Sequence, residues 1–308
     1  MEIALQFVLL ALGFVMLGKG ADWFVEGAAG IAMRFGIPQL VIGLTIVAMG
    51  TSAPEAAVSI AAAVKGNADI TIGNIVGSNI LNILVILGLA ASSVPIAVAR
   101  STVRIEIPFM IGVTALLFYQ GRDGSISLAD GGVLMVAFAA YMMYLYTMAM
   151  KSNVDSDLEE PGLPLGRCLL GAVGGLALII AGSNVTVGAA TSIATYAGLS
   201  ERFIGLTIVA LGTSLPELFT SVAAARRGNA DIAIGNIVGS NIFNILFVVG
   251  LSSLIIDIPF AAAFNFDTYV ALGAAVLLWL CVLRTQRLQR WAGALMLVCY
   301  AAYLGYIL

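Results

Sequence analysis

One segment of this chain is written twice. Residues 43–89 reappear at 205–251 with a constant offset of 162 and no gap, and 34 of the 47 aligned positions are identical. Packing alone does not demand such identity, because many apolar residues serve equally well on a buried helix face. What survives is polar or conformational: Thr51 and Thr213, Ser52 and Ser214, Pro54 and Pro216, Glu55 and Glu217, Ser78 and Ser240, Asn82 and Asn244. Two copies of a polar, proline-interrupted helix in an apolar chain predict two halves that share a symmetric site.

The solvent follows from composition. Of 308 residues, 61% are hydrophobic and 10% charged, with no histidine, and the mean hydropathy is +1.05. Soluble domains carry about 25% charged residues, so the chain reads as an all-α integral membrane protein whose partner is the lipid bilayer. Spanning helices need roughly 20 apolar residues each. Ten candidates are expected, near 4–33, 38–63, 70–94, 103–120, 129–150, 164–195, 202–225, 232–256, 267–283 and 290–307. The first and sixth are too long to cross upright and are expected to tilt or bend.

Lys and Arg counts set the orientation. With the N-terminus outside, the inner connections hold Arg34, Arg100, Arg104, Lys151, Arg167, Arg226, Arg227, Arg284, Arg287 and Arg290, and the outer ones hold Lys65, Arg122 and Arg202. Positive charge concentrates inside, so both termini are expected to face out. Five spans per half is an odd number, so the second copy runs upside down relative to the first. The division is residues 1–150, a polar inner linker at 151–164 (KSNVDSDLEEPGLP), and an inverted second repeat at 165–308. The linker reads as a solvated charge run, with a small regulatory cation site as the sharper alternative.

The repeated core of the motif is GTSAPE at 50–55 and GTSLPE at 212–217. Proline has no N–H to donate and its ring repels the carbonyl four residues back. Pro54 is therefore expected to free the carbonyls of Gly50 and Thr51, and Pro216 those of Gly212 and Thr213. Broken helix backbone survives at membrane depth only where it lines a cavity or binds something. Glu55 and Glu217 follow near the middle of their spans. Two buried carboxylates there are costly unless cations neutralise them. Ser52, Glu55 and Ser59 share one helix face, as do Ser214, Glu217 and Ser221. Asn74, Ser78 and Asn82 form a second stripe, repeated as Asn236, Ser240 and Asn244. Asp69 and Asp231 are expected to cap the helices they begin. Asn74 and Asn236 read mainly as helix-packing residues, and Ser59 and Ser221 as bonding back to their own helices.

The midplane inventory is therefore oxygen alone: carboxylates, freed carbonyls, hydroxyls and amides. That argues for hard cations. Two bidentate glutamates and two threonine carbonyls make six oxygens, and waters complete the six to eight that Ca²⁺ takes. Two negative charges balance one Ca²⁺ or two Na⁺. In the first helix, Lys19, Asp22 and Glu26 lie at i+3 and i+4 spacing and read as a locally compensated cluster. Their counterparts in the second copy are Ala181, Asn184 and Gly188.

GTSAPE and GTSLPE, each followed by a GSNIxN segment (Gly77 to Asn82, Gly239 to Asn244), resemble the two alpha repeats of the sodium/calcium exchanger family, within the cation/calcium exchanger superfamily. The stretch GADWFVEGAAGIA at 20–32 is similar to that family's first helix. The resemblance implies an antiporter with Na⁺ and Ca²⁺ as transported partners and no cofactor. Glu55 and Glu217 would ligate both ions, with the carbonyls of Thr51 and Thr213 completing the calcium shell. Ser52, Ser78 and the Ala48 carbonyl would line one sodium site. Ser214, Ser240, the Ala210 carbonyl and the Thr213 side chain would line its mirror, with Asn82 and Asn244 facing the centre. It further implies that the first and sixth helices slide over the other eight, that three Na⁺ exchange for one Ca²⁺, and that the membrane is the prokaryotic cytoplasmic one. Potassium-dependent relatives have aspartate where this chain has Asn244, which argues against required potassium.

Other classes fit less well. Proton/calcium exchangers carry related glutamate motifs without the GTSxPE wording and rank second. A channel would not need inverted repeats around an occluded site. An enzyme is not expected, because no nucleophile is paired with a base and no nucleotide motif occurs; a nucleic-acid partner is not expected either. The first apolar stretch lacks a basic leader, so no cleavable signal peptide is expected. Cys168, Cys281 and Cys299 are scattered without metal-ligand spacing and read as packing residues. No motif specifies an oligomeric state.

Overall fold

The computed structural model describes residues 2–66, 68–151, 163–198 and 210–307. In chain order these form α1 (Glu2–Phe35), α2 (Gln39–Thr51), α3 (Ala53–Val64), α4 (Ile70–Ser93), β1 (Ile96–Ala97), α5 (Thr102–Asp123), β2 (Ser125–Ile126), α6 (Leu128–Lys151) and α7 (Leu165–Tyr196). Then follow α8 (Ala210–Thr213), α9 (Leu215–Arg226), α10 (Ala230–Ile255), β3 (Ile258–Pro259), α11 (Ala263–Leu283), β4 (Arg287–Leu288) and α12 (Arg290–Ile307). Among the described residues eight helices are long and apolar enough to cross a membrane, and α2 with α3 makes a ninth, bent by 51°. The tenth expected span continues through α8 and α9, but its first arm lies largely outside the described residues. So does most of the 151–164 linker.

The bundle is built from the inside out. α4 and α10 are its buried centre, while long stretches of α1, α6 and α12 turn apolar side chains outward. α1 has 34 residues and α7 has 32, about 50 Å each at 1.5 Å per residue. That exceeds the ~30 Å hydrocarbon core, so both must tilt. They pack against each other along most of their length, through small residues that let the backbones touch. A Cβ on Gly27 would lie 2.4 Å from the Ala172 nitrogen, and one on Gly175 would lie 2.5 Å from the Phe24 nitrogen. Cys168 is buried in this seam, beside Gly30. Cys281 is buried, Cys299 is half-buried, and all three are free thiols.

The repeat offset is visible in the smallest elements. β1 pairs antiparallel with β4 (Ile96 with Leu288), and β2 with β3 (Ile126 with Ile258). Ile96 and Ile258, and Ile126 and Leu288, are equivalent positions of the two copies. The ladders lie at opposite ends of α5, as an inverted two-fold requires. Among the described residues four of the spanning helices open or interrupt with a π-helical turn: Gly43–Val47 in α2, Asn82–Leu87 in α4, Thr102–Glu106 in α5 and Asn244–Val249 in α10. Such turns displace backbone groups from the regular ladder. At Val103 the carbonyl is met by the Trp279 indole N–H of α11 at 2.9 Å.

Two local expectations differ. The cap of α10 is Asn229, and Asp231 sits inside its first turn, where its charge favours the helix N-terminus without a cap hydrogen bond. The backbone of the preceding α4 segment is capped at Ala68, while the Asp69 side chain lies outside the described residues.

Candidate functional site

Each copy's helix breaks at its serine. Ser52 has φ −80° and ψ 5°, and Ser214 has φ −92° and ψ 5°, so neither residue continues the helix. Pro54 and Pro216 then fall in the first turn of α3 and α9, where a missing N–H does no harm. Glu55 and Glu217 follow in the same turns, 1% exposed, at positions where the helix dipole favours a carboxylate. The carbonyl of Gly212, displaced by Pro216, accepts the Ser183 hydroxyl of α7 at 2.7 Å. The equivalent position in the first copy is Ala21, so this prop exists in one half alone.

The two halves are stitched across the break. Ser52 Oγ donates to Glu217 Oε1 at 2.7 Å, and Ser214 Oγ donates to Glu55 Oε1 at 3.2 Å. Each serine thus holds the carboxylate of the other copy, and one oxygen of each glutamate, Oε2, is left buried without a hydrogen-bond partner.

Four asparagines complete the centre. Asn79 Nδ2 donates to the Asn241 carbonyl and Asn241 Nδ2 to the Asn79 carbonyl, each at 3.2 Å. Their side-chain oxygens then accept from Asn82 Nδ2 (on Asn241 Oδ1, 2.9 Å) and Asn244 Nδ2 (on Asn79 Oδ1, 3.1 Å). With the amide nitrogens so engaged, Asn82 Oδ1 and Asn244 Oδ1 remain buried and unpartnered. Two carboxylate and two amide oxygens, in symmetric pairs, are therefore unpartnered at the centre of an apolar bundle. Unpaired buried oxygens are expensive, and a hard cation is the partner that satisfies acceptors alone. Among the described residues no cluster of three or more His, Cys, Asp or Glu occurs, so the negative charge here is that of two glutamates.

The remaining predicted residues fall as follows. Thr51 is buried, and its hydroxyl lies 3.0 Å from Asn236 Oδ1 and 3.1 Å from the Val47 carbonyl. Thr213 is half-buried in the last turn of α8, and Ser78 is buried one turn before Asn82. Ala210 opens α8, its side chain outside the described residues. Ser240 Oγ donates to the Ala48 carbonyl at 3.3 Å. This bond crosses from one repeat to the other. The reason is packing: α2 lies on α10 of the other copy, with Gly43 against Gly235 and Gly239 against Leu44 and Ala48, whereas α3 lies on α4 of its own.

Asn74 and Asn236 do bridge helices, donating to Ser59 Oγ and Ser221 Oγ at 2.9 Å each and to the carbonyls of Glu55 and Glu217 at 3.3 and 3.4 Å. Ser59 and Ser221 therefore accept from a neighbouring helix; the expectation that they bond back to their own is corrected. Asn79 and Asn241 escaped the sequence reading because they fall off the i, i+4, i+8 stripe. Their identity in both copies was the available signal. Lys19, Asp22 and Glu26 do not compensate one another: Asp22 and Glu26 both pair with Arg227.

Inverted repeats whose discontinuous helices meet at a buried midplane site define a class, the secondary transporters. The chain belongs to the sodium/calcium exchanger family: the family model described as sodium/calcium exchanger protein matches residues 5–147 and 168–308. It is 33% identical to the sodium/calcium exchanger MaX1 of Methanosarcina acetivorans over 98% of both chains. It is 40% identical to the inner membrane protein YrbG of Escherichia coli, over 80% of this chain and 79% of that one. The solved sodium-calcium exchanger NCX_Mj superposes with a TM-score of 0.86 at 33% identity, covering 98% of this chain and 99% of that chain. The protein is a multi-pass membrane transporter of the exchanger type, and not an enzyme.

Proposed function

We propose that this protein exchanges Na⁺ for Ca²⁺ across the membrane by alternating access at one midplane site. The observation that carries the reading is the symmetric set of buried, unpartnered oxygens: Oε2 of Glu55 and Glu217 and Oδ1 of Asn82 and Asn244. With the carbonyls of Thr51 and Thr213 they number six, within the range Ca²⁺ takes. Two carboxylates neutralise one Ca²⁺, and the same oxygens serve Na⁺ when Ca²⁺ leaves. Ser52, Ser78 and the Ala48 carbonyl on one side, and Ser214, Ser240, the Ala210 carbonyl and the Thr213 side chain on the other, flank the centre as the sodium positions. The protein divides into repeats 1–150 and 165–308 joined by 151–164. It sits in the cytoplasmic membrane of a prokaryote, a setting the name of the Escherichia coli inner-membrane relative supports, and the Lys and Arg distribution places both termini outside.

Calcium uptake into sodium-loaded proteoliposomes, with proton gradients collapsed by an uncoupler, tests this directly. Uptake that follows the sodium gradient is expected. Uptake that follows an imposed pH gradient and ignores sodium would replace the reading with a proton/calcium antiporter.

A further inference from the structure

The inverted repeat supplies an internal comparison, and one feature outside the ion site fails to repeat. Arg227 follows the last turn of α9, the half-helix that begins beside Glu217. Its Nε donates to Asp22 Oδ1 at 3.2 Å and its Nη1 to Glu26 Oε2 at 3.1 Å, tying α9 to α1. The equivalent of Arg227 is Lys65, at the end of α3; the equivalents of Asp22 and Glu26 on α7 are Asn184 and Gly188. The cation is kept and both acids are gone. Among the described residues Lys65 makes no ion pair.

The packing is asymmetric in the same sense. α1 lies along α9, with Phe14 against Phe219 at 6.1 Å between ring centres, whereas α7 and α3 make no comparable contact among the described residues. Equivalent positions therefore differ in cover: Thr220 on α9 is 0% exposed and Val58 on α3 is 44% exposed. At this position the half-helix tied by Arg227 is covered, and its untied counterpart is open.

We propose that Arg227, with Asp22 and Glu26, is a one-sided latch that holds the Arg227 end of the pathway closed and biases the resting transporter toward the state open at the Lys65 end. The proposal rests on the alternating-access reading above. In the orientation assigned here the latched end is the inner one. α1 is half of the glycine-packed α1/α7 pair, so a shift of that pair along the bundle by one helical turn, about 5.4 Å, carries Asp22 and Glu26 out of reach of Arg227. Each pair is partly exposed and individually weak, which suits a contact that must break in every cycle. Its weight falls on the balance between two states of similar free energy.

The test uses the full chain in proteoliposomes with Cys168, Cys281 and Cys299 replaced by alanine. A cysteine is introduced at Thr220, and in a second series at Val58, and each is labelled with a membrane-impermeant maleimide. Arg227→Gln, and Asp22→Asn with Glu26→Gln, are expected to speed labelling at position 220 and slow it at 58 by about two- to ten-fold. The half-saturating Ca²⁺ is expected to fall at the Arg227 face and rise at the other by similar factors. Raising ionic strength with choline chloride shrinks the difference from the parent protein, because exposed pairs are screened. The transplanted latch, Asn184→Asp with Gly188→Glu, puts acids at the positions equivalent to Asp22 and Glu26, for Lys65 to meet when α7 closes over α3, and moves every readout the other way. Residue 184 is exposed and a Cβ on Gly188 meets nothing within 4 Å. Arg227→Glu combined with Glu26→Arg restores parental labelling. Unchanged labelling and two-face affinities in the Arg227→Gln and double-acid variants, with normal sodium-driven flux, would overturn the latch alone. Absence of sodium-driven calcium flux in the unmodified protein would instead remove the antiport reading beneath it.

Discussion

Glu55 and Glu217 carry the negative charge of the central site, and each is positioned by a serine from the other repeat. Replacing either with glutamine keeps the shape and removes one of two charges that offset ion dehydration. Glu55→Gln and Glu217→Gln are each expected to abolish calcium-dependent exchange, at least 100-fold by the loss of one buried charge contact, while the purified protein keeps its elution profile and thermal midpoint. Normal uptake by either variant would refute the shared-site assignment. Asn244 makes a subtler point. Its amide nitrogen is engaged by Asn79 Oδ1 at 3.1 Å, and its oxygen brings no third charge. Potassium replaced by choline on both sides should therefore leave sodium-driven calcium flux unchanged. Asn244→Asp turns a donor into an acceptor facing Asn79 Oδ1, so flux by that variant is expected to acquire a dependence on pH or potassium. A potassium requirement in the unmodified protein would contradict this account of Asn244.

At the scale of elements, the bent helices exist because proline and serine act together. The proline removes a backbone donor, and the serine occupies the non-helical residue while its hydroxyl reaches the opposite glutamate. The glycines of α1 and α7 are the second device. A side chain at Gly27 would meet backbone at 2.4 Å, whereas one at Gly18 would meet nothing within 4 Å. Gly27→Val is therefore expected to lower stability by about 1–3 kcal/mol and to slow turnover, with Gly18→Ala as the silent control. Thermal unfolding in detergent reads the first effect and vesicle flux the second. Ser183→Ala removes the hydroxyl that meets the Gly212 carbonyl at 2.7 Å. A loss of about 1–3 kcal/mol is expected if that carbonyl stays buried, and a thermal midpoint equal to the parent's would show that it finds another donor.

For the whole molecule, the proposed exchange uses the inverted repeat as two symmetry-related routes to one site, and the charge on the cargo then decides whether turnover senses voltage. Two carboxylates are neutralised by one Ca²⁺, while three Na⁺, the ratio implied by the family resemblance, leave one charge in excess. A transported charge is worth about 2.3 kcal/mol per 100 mV. An inside-negative potential imposed on proteoliposomes with a potassium ionophore is therefore expected to change calcium flux several-fold over ~100 mV. Voltage-independent flux would mean two Na⁺, or two protons, per Ca²⁺.

Much of this was legible in the sequence for reasons that are local. Membrane residence follows from apolar content, the broken helices from Pro54 and Pro216, the two-fold relation from the 162-residue offset, and the proposed hard-cation chemistry from an oxygen-only inventory. Each of these depends on residue type and spacing, which a linear chain displays in full. What stayed hidden depends on which surfaces meet. Ser240 lies against Ala48 because α2 packs on the other repeat's α10, and glycines at 43, 235 and 239 allow that approach. Asn79 and Asn241 become central because they trade hydrogen bonds across the two-fold. Asp22 and Glu26 find Arg227, some 200 residues away, in preference to Lys19 on their own helix. Spacing along one helix tells which groups can share a face, but the partner of that face is chosen by packing between helices, and tertiary structure alone decides it.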